Sequence, residues 1–196
     1  MFLSIDSSLG TSVALVDVDG TIVHEAKSVD PRAHAERIGE LIQECCDRNP
    51  GGPAAITAVV MGVGPGPFTG LRVGMAAASA FSLSRSLPLL PVVSHDALGW
   101  AGNEDLVVVT DARRGEVAYS VYQAGASYRR VVGPALTTPD RLDEVLGNAA
   151  DFVRNDTSLV SAGALAQVAV DFVVKGLNFP GPAPIYLRAP DVTVVP

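Results

Sequence analysis

The sequence predicts an α/β protein built from two ribonuclease-H-like lobes. Its 196 residues are enough for two small lobes, and the 48% that are apolar can form a substantial core. The predicted elements begin with three strands and then alternate between helix and strand, which is typical of a mixed sheet covered by helices. A similar strand–turn–strand pattern returns about a hundred residues later, which indicates a second copy of the same unit.

The first lobe is predicted over residues 1–104. The pair Asp19-Gly20 is a two-residue hairpin signal between short apolar runs. Apolar residues spaced i, i+3, i+4 and i+7 predict the first helix, and a run of small residues predicts the second. The predicted strands are Phe2–Ile5, Ser12–Val18, Thr21–Ala26, Ala58–Met61 and Pro91–Ser94, and the predicted helices lie around Ile38–Cys45, at Thr69–Ser84 and at His95–Ala101.

The second lobe is predicted over residues 105–196 and is degenerate. Asp111 precedes Gly115 by four residues, as Asp6 precedes Gly10 in the first lobe. In both copies an apolar strand ends at the aspartate, and an alternating strand and a hairpin follow the glycine. The elements predicted here are strands at Leu106–Thr110 and Glu116–Tyr122 and helices at Pro139–Leu146 and Ala164–Gly176.

The turn after the first strand, residues 6–12, has two interpretations. In nucleotide-dependent phosphotransferases with two lobes, such a turn offers hydroxyls and backbone N–H groups to phosphate, and the aspartate organises a metal ion. The alternative is a Ser/Gly-rich hairpin turn closed by an aspartate side-chain contact. The residues that would line a vestigial nucleotide site in this and the other motif loops are Asp6, Ser7, Ser8, Gly64, Gly66, Thr69, Gly70, Asp111 and Arg113.

The glycine-rich segment 62–70 joins a strand to a helix, which is where phosphate-binding loops occur. However, Pro65 and Pro67 have no N–H to donate, and no Gly-Lys-Ser/Thr ending follows. A stiff turn that directs the next helix, with Thr69 as its N-cap, fits these residues better. Arg72 in the first turn opposes the helix dipole, which predicts either solvation or pairing with an acidic group across an interface.

The two helices of the first lobe also predict a partner surface. Small side chains on several faces of the second helix allow close helix packing, either against the sheet or against another chain. Core packing alone explains part of this pattern. The residues predicted for the interface are Ile38, Leu41, Ile42, Cys45, Arg72, Met75, Ala78, Ser79, Phe81 and Ser82.

Composition excludes several classes of function. The formal net charge of −7 argues against a protein that grips nucleic acid by itself. His24, His34 and His95 are not spaced as metal ligands, and no Gly-x-Ser-x-Gly nucleophile motif occurs. The adjacent Cys45 and Cys46 indicate free thiols in a reducing compartment, so we expect a cytoplasmic protein with no membrane segment.

Motifs along nearly the whole chain resemble one bacterial family. They are Ile5-Asp6-Ser7-Ser8, Pro31–Ile38, the segment Gly64–Gly74, Asp111–Val117 and Pro184–Arg188. In this order they resemble the TsaB (YeaZ) family of tRNA threonylcarbamoyladenosine biosynthesis proteins, which is Gcp/Kae-like. The chain departs from the family at Pro67, where a serine is usual, and at residues 38–40.

This resemblance implies an actin-like (ASKHA) fold of two lobes without catalysis of its own. It further implies that the two helices of the first lobe dock on TsaD, which transfers the threonylcarbamoyl group and holds the metal and nucleotide. The resemblance implies TsaE, an ATPase, as a further partner, and contact with tRNA through the complex. Whether the isolated chain forms a homodimer is left open by the sequence. The rival interpretation is a small ATP-dependent phosphotransferase of the actin or sugar-kinase type, with Asp6 and Asp111 organising the metal. A glycoprotease is a third interpretation, which no nucleophile or metal set supports.

Overall fold

The protein is a mixed α/β structure with two sheets. A computed structural model describes residues 1–28, 30, 34–126 and 129–188. Residues 31–33 of the second family motif therefore lie outside the described part, as do residues 189–196. In the described ranges, no helix is both long and apolar enough to cross a membrane.

The first sheet has three antiparallel strands followed by two parallel ones. Its strand order is β3-β2-β1-β4-β5, with β1 antiparallel to β2 and parallel to β4. Its strands are β1 (Phe2–Asp6), β2 (Thr11–Val16), β3 (Ile22–Ser28), β4 (Ala58–Gly62) and β5 (Leu89–Val92). The three-strand opening and the later alternation with helices are therefore confirmed.

The second sheet repeats this topology with one strand fewer among the described residues. Its order is β8-β7-β6-β9, with β6 antiparallel to β7 and parallel to β9. The last strand was not predicted, because its four residues are mostly polar and it lies at the sheet edge. Its strands are β6 (Leu106–Asp111), β7 (Val117–Tyr122), β8 (Arg130–Thr137) and β9 (Val153–Asp156).

Five helices complete the described fold. The predicted N-cap of the second one is wrong by two positions, because this helix begins at Phe68 with Pro67 as its N-cap residue. The predicted helix at residues 139–146 is shorter, because Pro139–Arg141 forms a 3₁₀ turn. The helices are α1 (His34–Asp47), α2 (Phe68–Arg85), α3 (Asp96–Gly99), α4 (Leu142–Leu146) and α5 (Ala162–Lys175).

Helices cover both faces of the first sheet. Alternation along the strands sends Leu3 and Ile5 into one core with α1 and α2, whereas Ala14 and Val16 pack with α5 on the opposite face. A third core lies between the second sheet and α4. The predicted boundary at residue 104 therefore separates the two sheets but not their helices, since α5 returns to the first sheet.

The N-terminus of α5 is fixed to the first sheet by Glu25 of β3. The Glu25 carboxylate accepts hydrogen bonds from Ser12 Oγ (2.9 Å), Ser161 Oγ (2.8 Å) and Gly163 N–H (3.2 Å). Burial opposes the charged form, but these bonds and Lys27 outweigh it, so the pKa of Glu25 is lowered. A carboxylate at a helix N-terminus is stabilising. The hydrogen bond between Glu25 and Ser161 also joins segments that are 136 residues apart.

Candidate functional site

The Asp6 carboxylate at the end of β1 is held entirely by this chain. Its Oδ1 accepts hydrogen bonds from the Ser8 N–H (2.8 Å) and Ser8 Oγ (2.5 Å), and its Oδ2 accepts one from Ser94 Oγ (2.5 Å). The side chain is buried, which raises the pKa of Asp6, while these bonds act in the opposite direction. Both oxygens that could organise a metal ion therefore have partners in the folded chain.

The glycine-rich loop packs directly on this turn. A Cβ at Gly62 would lie 1.9 Å from Asp6 Oδ2, and a Cβ at Gly66 would lie 2.8 Å from the Ser8 backbone. The Gly64 N–H donates to Ser94 Oγ (3.0 Å), and Pro65 has no N–H. These glycines allow the glycine-rich loop and the Asp6 turn to approach each other closely.

Ser7 joins the same turn to α2. Its hydroxyl donates to the Gly70 carbonyl (2.7 Å) and accepts from the Gly74 N–H (2.8 Å). In an ideal helix the Gly74 N–H would donate to the Gly70 carbonyl. Here the Ser7 hydroxyl lies between these two backbone groups and bonds to both. A Cβ at Gly74 would lie 2.3 Å from Ser7 Oγ, and one at Gly70 would lie 2.9 Å from His34 Nε2. Close packing within the chain thus explains these small residues.

Three consecutive polar residues that the sequence reasoning missed connect the two sheets. Ser94 bonds the Asp6 turn, whereas His95 contacts Ser120 Oγ (2.8 Å) and Thr110 Oγ1 (2.9 Å) of the second sheet. Burial, with a smaller effect of Arg130, lowers the pKa of His95 to about 3, so its ring is neutral. The sequence signal that could have identified these residues is a run of three polar residues just after a buried strand.

Asp96, the third of these residues, lies in a buried polar cluster. Its Oδ1 accepts hydrogen bonds from Tyr122 Oη (2.8 Å) and from Arg130 Nε (2.7 Å), whose side chain is 13% exposed. The cluster satisfies a buried carboxylate with a cation and a hydroxyl. The bonds of His95 and Asp96 therefore hold the start of α3 against the second sheet.

The turn after β6 shares two features with the Asp6 turn, although Arg113 and Arg114 adopt positive φ angles (+66° and +54°) and no residue between Asp6 and Gly10 does. The Arg113 N–H donates to Asp111 Oδ1 (2.9 Å), which matches the bond from Ser8 to Asp6. Gly10 and Gly115 have similar φ angles, +70° and +73°. The environments differ, because the Asp111 side chain is 66% exposed, so only the first turn is enclosed.

A cavity of about 230 Å³ lies between the two sheets. It brings together three predicted motif residues, Gly66, Asp111 and Arg113, with Tyr186 and Arg188 of the C-terminal segment. Asp6, Ser7 and Ser8 do not line it, because they lie under the glycine-rich loop. Thr69 and Gly70 do not line it either, and Gly64 faces Leu71 and Ile185.

The structure divides the residues predicted for the partner interface. The stripe of α1 packs on β2 and β3, so its members belong to the core of this chain and offer little surface. Helical periodicity identifies an apolar stripe but not which neighbour covers it. Ile38, Leu41, Cys45, Ala78 and Ser82 are buried, Ile42, Met75 and Phe81 are partly buried, and Arg72 and Ser79 are exposed.

Arg72 has partners within the chain. Its Nε donates to Tyr186 Oη (2.6 Å), and its guanidinium lies 3.6 Å from the centroid of the Phe68 ring. These contacts compensate for a cation in the first turn of α2. An acidic partner across an interface, as the sequence predicted, stays a prediction.

Comparisons with known proteins identify relatives that match most of the chain. An uncharacterised protein of Mycobacterium leprae is 35% identical over 199 residues, covering 99% of this chain and 52% of that protein. The tRNA threonylcarbamoyladenosine biosynthesis protein TsaB of Escherichia coli is 34% identical over 127 residues, covering 62% of this chain and 54% of that protein. The chain thus spans about half the length of these two relatives.

The solved structure of YeaZ from Pseudomonas aeruginosa has the same fold, with a TM-score of 0.75 at 23% identity over 95% of this chain and 99% of that one. The family model described as TsaD, tRNA N6-adenosine threonylcarbamoyltransferase, matches residues 22–179. The chain belongs to the TsaD family, in its TsaB/YeaZ branch. The resemblance inferred from the motifs is therefore confirmed. The motif at residues 64–74 that resembles TsaB/YeaZ is the segment that packs on the Asp6 turn.

Proposed function

We propose that this chain is a non-catalytic subunit that pairs with a TsaD-type enzyme and activates it. The reaction is the formation of N6-threonylcarbamoyladenosine next to the anticodon in tRNA. The name of the Escherichia coli relative and the description of the matching family model support this pathway. A cytoplasmic location follows from the role in tRNA modification.

The observation that carries the proposal is the closure of the Asp6 turn. The carboxylate of Asp6 and the hydroxyl of Ser7 bond to the chain itself, and Gly66 packs against the Ser8 backbone. A phosphoryl-transfer site needs free donors and a carboxylate directed at a metal ion. In this chain those groups stabilise loop packing instead.

The proposal assigns ATP and the metal ion to partner subunits, namely TsaD and the ATPase TsaE in a larger complex. The inter-sheet cavity, about 230 Å³, is smaller than the roughly 300–1,000 Å³ of typical small-molecule sites, and two more open cavities of about 680 and 440 Å³ contain neither Asp6 nor the glycine-rich loop. The net charge of −7 favours contact with tRNA through the complex rather than through this chain alone.

The surface proposed to meet TsaD is the exposed stripe of α2. Arg72, Ala76, Ser79 and Leu83 follow one another at helical spacing and are exposed, and the Leu83 side chain is the most exposed large apolar group, at 82%, in the described chain. Small residues at the centre of the stripe let a partner helix approach closely. The buried Ala78 does not belong to this surface.

A charge on the stripe tests this interface. Leu83→Glu is compared with Val174→Glu, which makes the same kind of change at a 77% exposed position on α5. Binding to TsaD is measured by calorimetry and size-exclusion chromatography, with a thermal melt of each variant alone. We expect a loss of at least tenfold in affinity for Leu83→Glu only, and equal affinity of both variants would overturn the interface.

A second candidate function is an ATP-dependent phosphotransferase, which the aspartate-to-backbone hydrogen bond shared by the turns at Asp6 and Asp111 favours. The two functions differ in what the isolated chain does with Mg-ATP. We expect no turnover by the highly purified chain. Turnover that disappears in Asp6→Asn would establish the phosphotransferase and refute the non-catalytic assignment.

A further inference from the structure

The inter-sheet cavity is lined by cationic and aromatic side chains that the proposed pairing through α2 does not use. One wall is the glycine-rich loop and the start of α2, and the opposite wall is the turn after β6. The third wall is the segment Tyr186–Arg188. The residues that define its chemistry are Phe68, Asp111, Arg113, Arg114, Tyr186 and Arg188.

The lining of the cavity is rich in positive charge, whereas the protein as a whole is acidic. Arg113, Arg114 and Arg188 line it. The two carboxylates beside these three arginines are Asp111 in the lining and Glu116, which pairs with Arg188. The whole chain has a net charge of −7, so this concentration of cations opposes the general pattern.

The aromatic wall is fixed in place before any ligand arrives. The rings of Phe68 and Tyr186 lie 4.6 Å apart, and the guanidinium of Arg72 lies 3.6 Å from the first centroid and 5.5 Å from the second. The 2.6 Å hydrogen bond from Arg72 Nε to Tyr186 Oη locks this arrangement. Such preorganised rings reduce the entropy cost of binding a flexible chain.

Guanidinium side chains are the cationic donors of this cavity. The Ala112 N–H donates to the Glu116 carbonyl, the Arg113 N–H donates to Asp111, and the Glu116 N–H donates to the Arg113 carbonyl. On the opposite wall Pro65 and Pro67 have no N–H. These bonds and prolines leave the guanidinium groups as the charged partners at the two walls, and guanidinium groups suit carboxylates.

We propose that this cavity binds a short acidic segment of a protein partner. One aspartate or glutamate side chain pairs with Arg113, whose own pairing with Asp111 is long (3.8 Å) and largely exposed, and so easily exchanged. An adjacent apolar side chain packs on Phe68, Tyr186 and Leu136. RNA is disfavoured, since a long polyanion would meet the acidic remainder of the surface.

The test uses the full chain and a short fluorescein-labelled peptide of alternating glutamate and leucine, followed by fluorescence anisotropy. The control peptide alternates glutamine and leucine. Arg113→Glu is compared with Arg37→Glu, an identical charge change at an exposed position of α1. Thermal melts check that both variants are folded.

We expect the glutamate peptide to bind the wild-type chain and Arg37→Glu equally. Arg113→Glu should bind it at least tenfold more weakly, which is about 1.4 kcal/mol. Lack of binding at millimolar peptide, or equal binding of the glutamine peptide, would overturn the proposal. Displacement of the peptide by a short single-stranded RNA or by ATP at lower concentration than by unlabelled peptide would replace it with a phosphate ligand.

Discussion

The contact between Ser7 and α2 predicts opposite effects for two glycine-to-alanine substitutions. Alanine normally stabilises a helix relative to glycine by about 1 kcal/mol. Gly39 lies inside α1 with nothing within 4 Å of an added Cβ, so Gly39→Ala should raise the free energy of unfolding by this amount. Gly74 lies inside α2, where an added Cβ would lie 2.3 Å from Ser7 Oγ and 3.0 Å from Ser7 Cβ.

Relief of this clash requires the Ser7 hydroxyl to leave the Gly70 carbonyl and the Gly74 N–H. Overpacking of this kind typically costs about 1–3 kcal/mol, which exceeds the helix gain. After subtraction of the helix gain of about 1 kcal/mol, Gly74→Ala should therefore lower the free energy of unfolding by up to about 2 kcal/mol. Urea unfolding of both variants at unchanged m-value measures the difference.

A second substitution checks the assigned cause. Ser7→Gly in the Gly74→Ala background removes the hydroxyl, so the double variant should lose less stability than the two single changes add up to. Stabilisation by Gly74→Ala equal to that by Gly39→Ala would refute the argument. It would show that the turn and the helix are not packed as closely as the distances state.

Two further predictions concern buried and partly buried polar groups. The pKa of Glu25 is lowered in the folded chain, so its stabilising effect is present above its ordinary pKa of 4.5 and is lost as pH falls through the lower folded value. Glu25→Gln should therefore lower the free energy of unfolding by about 1–2 kcal/mol at pH 7 and by progressively less below pH 4.5. Urea titrations at each pH measure this difference. Ser4 Oγ is buried without a partner in the described chain, so Ser4→Ala should leave the free energy of unfolding unchanged or raise it by about 1 kcal/mol, and a loss of that size in a thermal melt would show that the hydroxyl has a partner.

The regular elements could be predicted because their signals are local. Alternation along residues 2–16 and the helical spacing of Ile38, Leu41 and Cys45 depend on which residues face a core. The same signal misled the interface prediction for α1, since an apolar stripe looks alike whether a sheet or another chain covers it. The strand β9 was not predicted because Arg154-Asn155-Asp156 is polar and lies at the edge of the second sheet.

The candidate site could be predicted only in part, because its contacts join distant segments. The motifs identified Asp6 and the glycine-rich loop, but the bonds from Asp6 to Ser94 and from Ser7 to Gly74 span 88 and 67 residues. The sequence left open whether these groups face a ligand or each other. Apolar packing and the contact of Glu25 with Ser161 hold α5 on the first sheet, and no local pattern predicts that contact.

The central claim is that the chain activates a TsaD-type enzyme without using its own Asp6 turn in chemistry. The most direct measurement is the incorporation of labelled threonine into tRNA by the reconstituted partner subunits, alone, with the wild-type chain, and with Asp6→Asn. This variant removes the charge but keeps hydrogen-bonding groups for Ser8 and Ser94. The account predicts no product without the chain and near wild-type product with Asp6→Asn, provided that its thermal melt is cooperative. A folded Asp6→Asn chain that binds the partner but yields no product would contradict it.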